Sequence, residues 1–297
     1  MKGLVLCKYH ILYFQYFVMI RTFFCIATLV FLSPLTAQTP EPPEGFKWVQ
    51  NEKFTDEFDD QELDSTKWHA RSPYWVDGRP PATFRAEQVS VKDGQLHINN
   101  AVLEGDSIYN IAGGAVASVA KDAHYGYYEA RMKASSITMS STFWLKNKPD
   151  SEECPYEQQE LDIVEVVGQQ KTGWDFRTTM KSNAHFIIQP CDSTANYISA
   201  PGAGAKIEPP ANEAYHVYGC WWVDAKTLHF FLDGKLVYTI NPSTIARENP
   251  FNRPMFMHLV TETYNWETPP TPEELADDSR NTTYYDWVRS YTLEAIK

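Results

Sequence analysis

The sequence predicts an all-β chain, a jelly-roll-type sandwich of two antiparallel sheets with a concave substrate cleft. Three observations predict it. Short segments of alternating apolar and polar residues, separated by turn residues, run almost from end to end. Helical periodicity is nearly absent. Aromatic residues are abundant, with nine Trp, seventeen Tyr and sixteen Phe in 297 residues, which suits a β-sheet core and sugar stacking alike. A sandwich of roughly 250 residues commonly folds as one unit.

Residues 1–37 read as an export signal with an upstream segment. Arg21 precedes the apolar run 22–32, and Leu35-Thr36-Ala37 offers a small residue for cleavage. The run is too short for a membrane span, and Met1 and Met19 are both candidate starts. Residues 38–297 then form a single catalytic domain, with 38–46 as a Pro-rich lead-in. A secreted or periplasmic protein is expected, with no membrane contact after cleavage. Cleavage removes Lys2, Lys8 and Arg21 and no acid, taking the formal charge from −12 to −15. So acidic a chain is a poor partner for nucleic acid. A monomer is expected.

The strands follow in order. Residues 89–91, the turn Lys92-Asp93-Gly94 and residues 95–98 predict a hairpin. Segments 125–134, 141–145 and 216–223 alternate, and at least one of Trp221 and Trp222 is core. Residues 228–232, Asp233-Gly234 and 235–240 predict a second hairpin, and 256–262 and 284–293 close the series. One helical turn is predicted over 271–276, with Pro272 at its first position. Cys220 lies in an apolar run and reads as a buried thiol. Cys154 and Cys191 can pair in an oxidising compartment. Thiols without CxxC spacing do not predict zinc.

The most informative segment is Glu160-Leu161-Asp162-Ile163-Val164-Glu165. Its β-branched residues predict a strand. In a regular strand Glu160 and Asp162 share a face and Glu165 points the other way. One extra residue, a β-bulge at Ile163-Val164, returns Glu165 to the face of the other two. Acids that close repel, so at least one pKa rises. A raised carboxylic acid beside an ionised one is the equipment for retaining glycoside hydrolysis. The plain alternative is an edge strand with a solvated acidic face, but acids are poor strand formers and three of them cost stability.

These residues resemble glycoside hydrolase family 16, whose signature Glu-x-Asp-x-x-Glu is matched at Glu160, Asp162 and Glu165. Met139-Ser140-Ser141-Thr142-Phe143-Trp144-Leu145 is similar to a strand of the agar- and porphyran-cleaving branch. So are Glu262-Thr263-Tyr264-Asn265-Trp266, followed by 269–275, and Tyr284-Tyr285-Asp286-Trp287-Val288-Arg289. The flanks Gln159 and Val166-Val167-Gly168 look more like porphyranases than agarases. The resemblance implies Glu160 as nucleophile, Glu165 as acid/base and Asp162 bonded between them. It implies retention, with carboxyls roughly 5–5.5 Å apart. No cofactor is required and no metal is expected in the site. A structural calcium is compatible with the resemblance on the convex face, with Asp286 as its candidate ligand.

The expected substrate is a sulfated or neutral red-algal galactan. The reading is an endo-acting β-porphyranase, with β-agarase as the alternative. Further off stand a carrageenan-type hydrolase, a transglycosylase and a non-catalytic carbohydrate-binding sandwich. Trp75-Val76-Asp77-Gly78-Arg79-Pro80-Pro81 offers an aromatic platform and a guanidinium suited to sulfate. Alone, Arg79 is more often a surface charge than a sulfate ligand; with Trp75 beside it the two readings are even. Arg131, which alternates with Glu129, is either a second sulfate ligand or half of a cross-strand pair. Trp144 floors the cleft by resemblance, or is core. His185 is either structural or a hydrogen-bonding partner of sugar. Glu262 reaches a sugar hydroxyl and Trp266 stacks.

Overall fold

The computed structural model describes residues 39–297, except 106, 150–151, 174 and 193–195. The expected export signal lies outside the described residues. Among the described residues eight strands form one sheet and ten the other. The outer sheet runs Lys235–Ile240, Thr227–Leu232, His216–Asp224, Gly126–Lys133, Thr282–Ala295, Gln95–Asn99 and Val89–Lys92, with Phe46–Gln50 paired along Thr282–Ala295. The cleft sheet runs Tyr197–Ser199, Thr179–Gln189, Tyr156–Val167, Ser140–Lys146, Phe256–Thr261, Ile111–Ser118 and Trp68–His69.

Both predicted hairpins form, and for the predicted reason. Asp93 and Gly94 have φ of 55° and 72°, and Asp233 and Gly234 have 50° and 76°. Two consecutive positive φ values make the turn whose twist matches its flanking strands, and Asp-Gly supplies them at low cost. The predicted helical turn, Pro272–Leu275, is closed by a capping box in which the Thr271 hydroxyl accepts from the Glu274 N–H.

The core lies between the sheets. Leu161, Ile163, Val164 and Val166 from the motif strand are fully buried there with Phe143, Leu145, Met257 and Leu259. Tyr128, Met132, Trp222, Phe230 and Tyr285 face them from the outer sheet. Trp222 is the core member of its pair, whereas Trp221 packs edge-on against Trp48 on the other side. Each fully buried aliphatic side chain contributes roughly 1.5–3 kcal/mol. Four in one strand outweigh the modest propensity cost of its three acids.

The bulge falls where the sequence places it. Along Ser140–Lys146, Asp162 pairs with Trp144 and Val164 with Phe143, so two residues oppose one. Along Thr179–Gln189 the register jumps between Asp162 opposite Asn183 and Glu165 opposite Lys181. Ile163 and Val164 therefore both face the core, and Glu165 returns to the cleft side. The Ser182 hydroxyl donates to the Ile163 carbonyl at 2.6 Å, which satisfies an oxygen the bulge takes out of the ladder. The strand ends at Gly168, where a Cβ would meet the Ser135 carbonyl oxygen at 1.7 Å. Only glycine permits that approach. At the far end of the same hairpin Cys154 and Cys191 are disulfide-bonded with Cα atoms 5.2 Å apart. Cys220 is a buried free thiol.

Ser182→Ala removes the donor that meets the buried Ile163 carbonyl and the partner of the Tyr238 hydroxyl. We expect a loss of about 1–3 kcal/mol in chemical denaturation; a loss below about 0.5 kcal/mol would show that the bulge does not need this anchor.

Candidate active site

Strand register brings the functional side chains together. Glu160 lies opposite His185 on one neighbouring strand and Lys146 on the other. Asp162 lies opposite Asn183 and Trp144, and Trp144 opposite His258. Glu165 lies between Lys181 and Thr142. From these rows Glu160, Asp162, Glu165, His185, Lys146, Trp144 and Thr142 line a cavity of about 350 Å³ together with Trp75, Arg79, Glu262 and Tyr264. Cross-strand neighbours on one face approach within side-chain reach.

Each acid has its own partner. Lys146 Nζ is 2.6 Å from Glu160 Oε2, which places a positive charge against that carboxylate. His185 Nε2 lies 3.0 Å from Asp162 Oδ2. Glu165 accepts from Asn183 Nδ2 at 2.8 Å and from the Tyr264 hydroxyl at 2.6 Å. Burial, together with the Asp162 charge, pushes Glu165 up to about 7. Burial also raises Asp162, to about 6, against the His185 bond that holds it down. That bond raises His185 to about 8. Near neutral pH, Asp162 and His185 therefore form an ion pair, while a large fraction of Glu165 keeps its proton. A carboxylic acid able to donate stands on the same face as a carboxylate able to attack.

The oxygens and nitrogen of Glu160, Asp162 and His185 lie within 4.8 Å of one another, a spacing a metal could use. The donor set does not fit one. Glu160 is paired with a lysine, and His185 carries a proton on the nitrogen that faces Asp162.

The other predicted residues divide. Trp144 floors the cavity, 7% exposed, stacked on the His258 ring at 3.9 Å. The Ser72 hydroxyl holds His258 from below at 2.9 Å. Trp75 packs on Phe84, Ala115, Trp144 and Val260. Gly78 has a φ of +71° and sits over the Phe84 ring, where a Cβ would come within 3.0 Å, so glycine lets the Trp75–Arg79 loop press onto the sheet. Arg79 lies over the Trp75 and Tyr264 rings at 5.8 and 5.4 Å, with Nη1 3.5 Å from Glu262 Oε1. Glu262 is pushed up to about 7 by burial, against the pull of Arg79. Its Oε2 and the Trp75 Nε1 are buried, and among the described residues neither makes a hydrogen bond of good geometry, although the indole lies close enough to Glu262 to hold its pKa down slightly. Trp266 stands outside the cavity, on a ledge stacked with Tyr264 and Phe176 at 4.8 Å each.

Arg131 is a correction. It lies in the outer sheet between core residues Ala130 and Met132, so alternation turns it away from the core and the cleft. It pairs with Asp286 Oδ2 at 2.6 Å on the neighbouring strand Thr282–Ala295, the cross-strand pair that the sequence offered as its alternative, and stacks on Tyr215. Asp286 also accepts from Gln95 at 3.0 Å.

Lys146, Asn183, Tyr264 and His258 were not singled out from sequence. Two of them carried a signal. Lys146 is two residues from Trp144 and Asn183 two from His185, so period 2 puts each on the cleft face.

The family description "Beta-porphyranase A-D, GH16 domain" matches residues 48–293. The chain belongs to this family. As a glycoside hydrolase of family 16 it is 74% identical, over 84% of its length and 90% of the relative's, to β-porphyranase E of Zobellia galactanivorans. The crystal structure of a β-porphyranase from the human gut bacterium Bacteroides plebeius superposes with a TM-score of 0.81 at 48% identity, covering 87% of this chain and 96% of that one. β-Agarase A of Z. galactanivorans superposes at 0.74 with 25% identity, over 86% of this chain and 96% of that one. Retention, the usual outcome in this hydrolase family, agrees with an acid and a carboxylate on one face.

Asp162→Asn removes the charge that raises Glu165, and that loss outweighs the weaker opposing effect of His185. The alkaline limb of kcat/KM should move to lower pH by about half a unit or more; an unmoved or upward-shifted limb would contradict the coupling. Glu262 has a folded-state pKa above its unfolded value, so the folded state binds the extra proton and stability falls as pH rises from about 4.5 to about 7. Glu262→Gln should therefore be more stable than wild type at pH 8, by roughly 1–3 kcal/mol, and lose that advantage below pH 4.5. Parallel denaturation curves at the two pH values check this.

Proposed function

We propose that this chain is an endo-acting β-porphyranase, cleaving β-1,4-galactosidic bonds in sulfated red-algal galactan with retention. The observation that carries the substrate is Arg79. Its guanidinium is held between two aromatic rings at the edge of the catalytic cavity, in a chain of formal charge −12. Arginine matches the geometry of a sulfate ester better than lysine does. Its Glu262 contact is long and its own side chain is 37% exposed, so solvent weakens the pair and a sulfate can displace it. The 74% identity to β-porphyranase E supports the same reading. Internal cleavage is supported by a cleft that continues beyond the catalytic cavity through Trp75 and Lys146, and by a further hollow beside Phe176 and Lys181.

In the proposed reaction the Glu160 carboxylate attacks the anomeric carbon as Glu165 gives its proton to the leaving glycosidic oxygen. Glu165, now ionised, takes a proton from water, whose oxygen displaces Glu160 from the same carbon. Asp162, fixed by His185, keeps negative charge beside both acids. Trp144 supports the sugar ring from below. Export is part of the proposal, supported by the apolar run 22–32 and by the Cys154–Cys191 bond.

Reducing-end release from porphyran and from neutral agarose, measured side by side, tests the reading. We expect cleavage of porphyran and little of agarose. Cleavage of agarose alone would make the chain an agarase, and cleavage of neither would point to another galactan. Glu160→Gln should abolish hydrolysis while sparing binding. Arg79→Ala should lower kcat/KM on porphyran by at least about thirtyfold and far less on agarose; equal losses would remove Arg79 from the sulfate role.

A further inference from the structure

Beyond Trp75 the cleft continues into a hollow of about 790 Å³ and then into one of about 260 Å³. Tyr74 and Phe256 line both, with ring centroids 4.0 Å apart. Two ammonium groups meet over the Tyr74 ring, Lys121 Nζ at 5.1 Å and Lys148 Nζ at 5.9 Å from its centroid. Both lysines line the smaller hollow. Neither has a carboxylate partner among the described residues, although the chain carries twelve more acids than bases. The other cation of that hollow, Arg253, is spent on Glu153 and Glu157. Among the described residues that line it, the uncommitted charge is thus two positive.

The two lysines sit on anchored backbone. Lys121 is two residues from Ala123, which exchanges both backbone hydrogen bonds with Met255 at 2.8 and 3.0 Å. Lys148 follows Asn147, whose buried amide donates to the Glu157 carbonyl at 2.9 Å and accepts from the Gln159 N–H at 2.6 Å. Like charges brought together around one ring repel, and solvent screens them only in part. Anchoring both backbones at such a point prepares the hollow for an anion.

We propose that Lys121 and Lys148 form a second anion-reading subsite at the Tyr74 end of the cleft, taking the sulfate ester of a sugar further along the chain whose scissile unit lies at Glu160. The Tyr74 ring, stacked on Phe256, supports that sugar from its apolar face. This rests on the porphyran reading and deepens it. Arg79 reads sulfate beside the reacting bond. The lysine pair reads it at a distance, so a long sulfated chain is held at two charged points.

The test compares wild type with the double variant Lys121→Gln, Lys148→Gln, both exposed positions outside the core. Substrates are a length series of porphyran oligosaccharides and a matching neutral agarose series, at low and high salt. For sulfated chains long enough to pass Trp75, KM should rise about tenfold with kcat moving less than twofold, and the salt dependence of KM should flatten. For the shortest cleaved sulfated chains and for neutral chains, variant and wild type should match. A KM within twofold of wild type on long sulfated chains, or an equal rise on neutral ones, overturns the subsite. A wild-type enzyme that prefers neutral chains overturns the porphyran reading, and this proposal with it; the wild-type rows alone reveal that.

Discussion

The arrangement depends on one extra residue in one strand. Without the bulge between Asp162 and Glu165, regular alternation would bury Glu165 beside Leu161 and Ile163 and turn Val164 and Val166 to the cleft. A buried carboxylate there would be unpaired and costly. With the bulge, two adjacent aliphatic residues fill the core and three acids stand on one surface. The neighbouring strands then supply a separate partner for each acid. Lys146 answers Glu160, His185 answers Asp162, and Asn183 with Tyr264 answers Glu165. The acid that keeps its proton is the one whose partners are neutral.

Burial and pairing compete across the site, and magnitude decides. Glu262 has a guanidinium 3.5 Å away, but that guanidinium is 37% exposed, so solvent weakens its pull and burial wins. His185 goes the other way: its 3.0 Å bond to a buried aspartate outweighs the desolvation that would discharge it. The cleft's cations are graded in the same manner. Lys146 is committed to an acid, Arg79 is loosely held, and the two lysines over Tyr74 are uncommitted. Uncommitted positive charge in the groove of an acidic protein attracts a polyanion to that groove.

Much of this was legible because β-structure writes itself locally. Period 2, the Asp-Gly turns and the spacing of Glu160, Asp162 and Glu165 are short-range signals, and all three survive in the fold. Arg131 shows where they stop. Alternation says that Arg131 leaves the core, but both sheets have an outward face, and only pairing order says which one bears the cleft. Tyr264 and His258 were hidden for a related reason. Each acts through a residue more than a hundred positions away or on a non-adjacent segment, and cross-strand register is set by the whole sandwich. The link between Cys154 and Cys191 also depended on that register, because it closes the end of the long hairpin that carries the acids.

The central claim is that Glu160 attacks and Glu165 protonates from one face of one bulged strand, giving two displacements at the same carbon. The most direct test follows the anomeric proton of the newly formed reducing end by NMR during the first minutes of hydrolysis. The account predicts that the β-anomer forms first and then mutarotates towards the α/β equilibrium. If the α-anomer formed first, a single displacement by water would be at work, and the nucleophilic role of Glu160 would be contradicted.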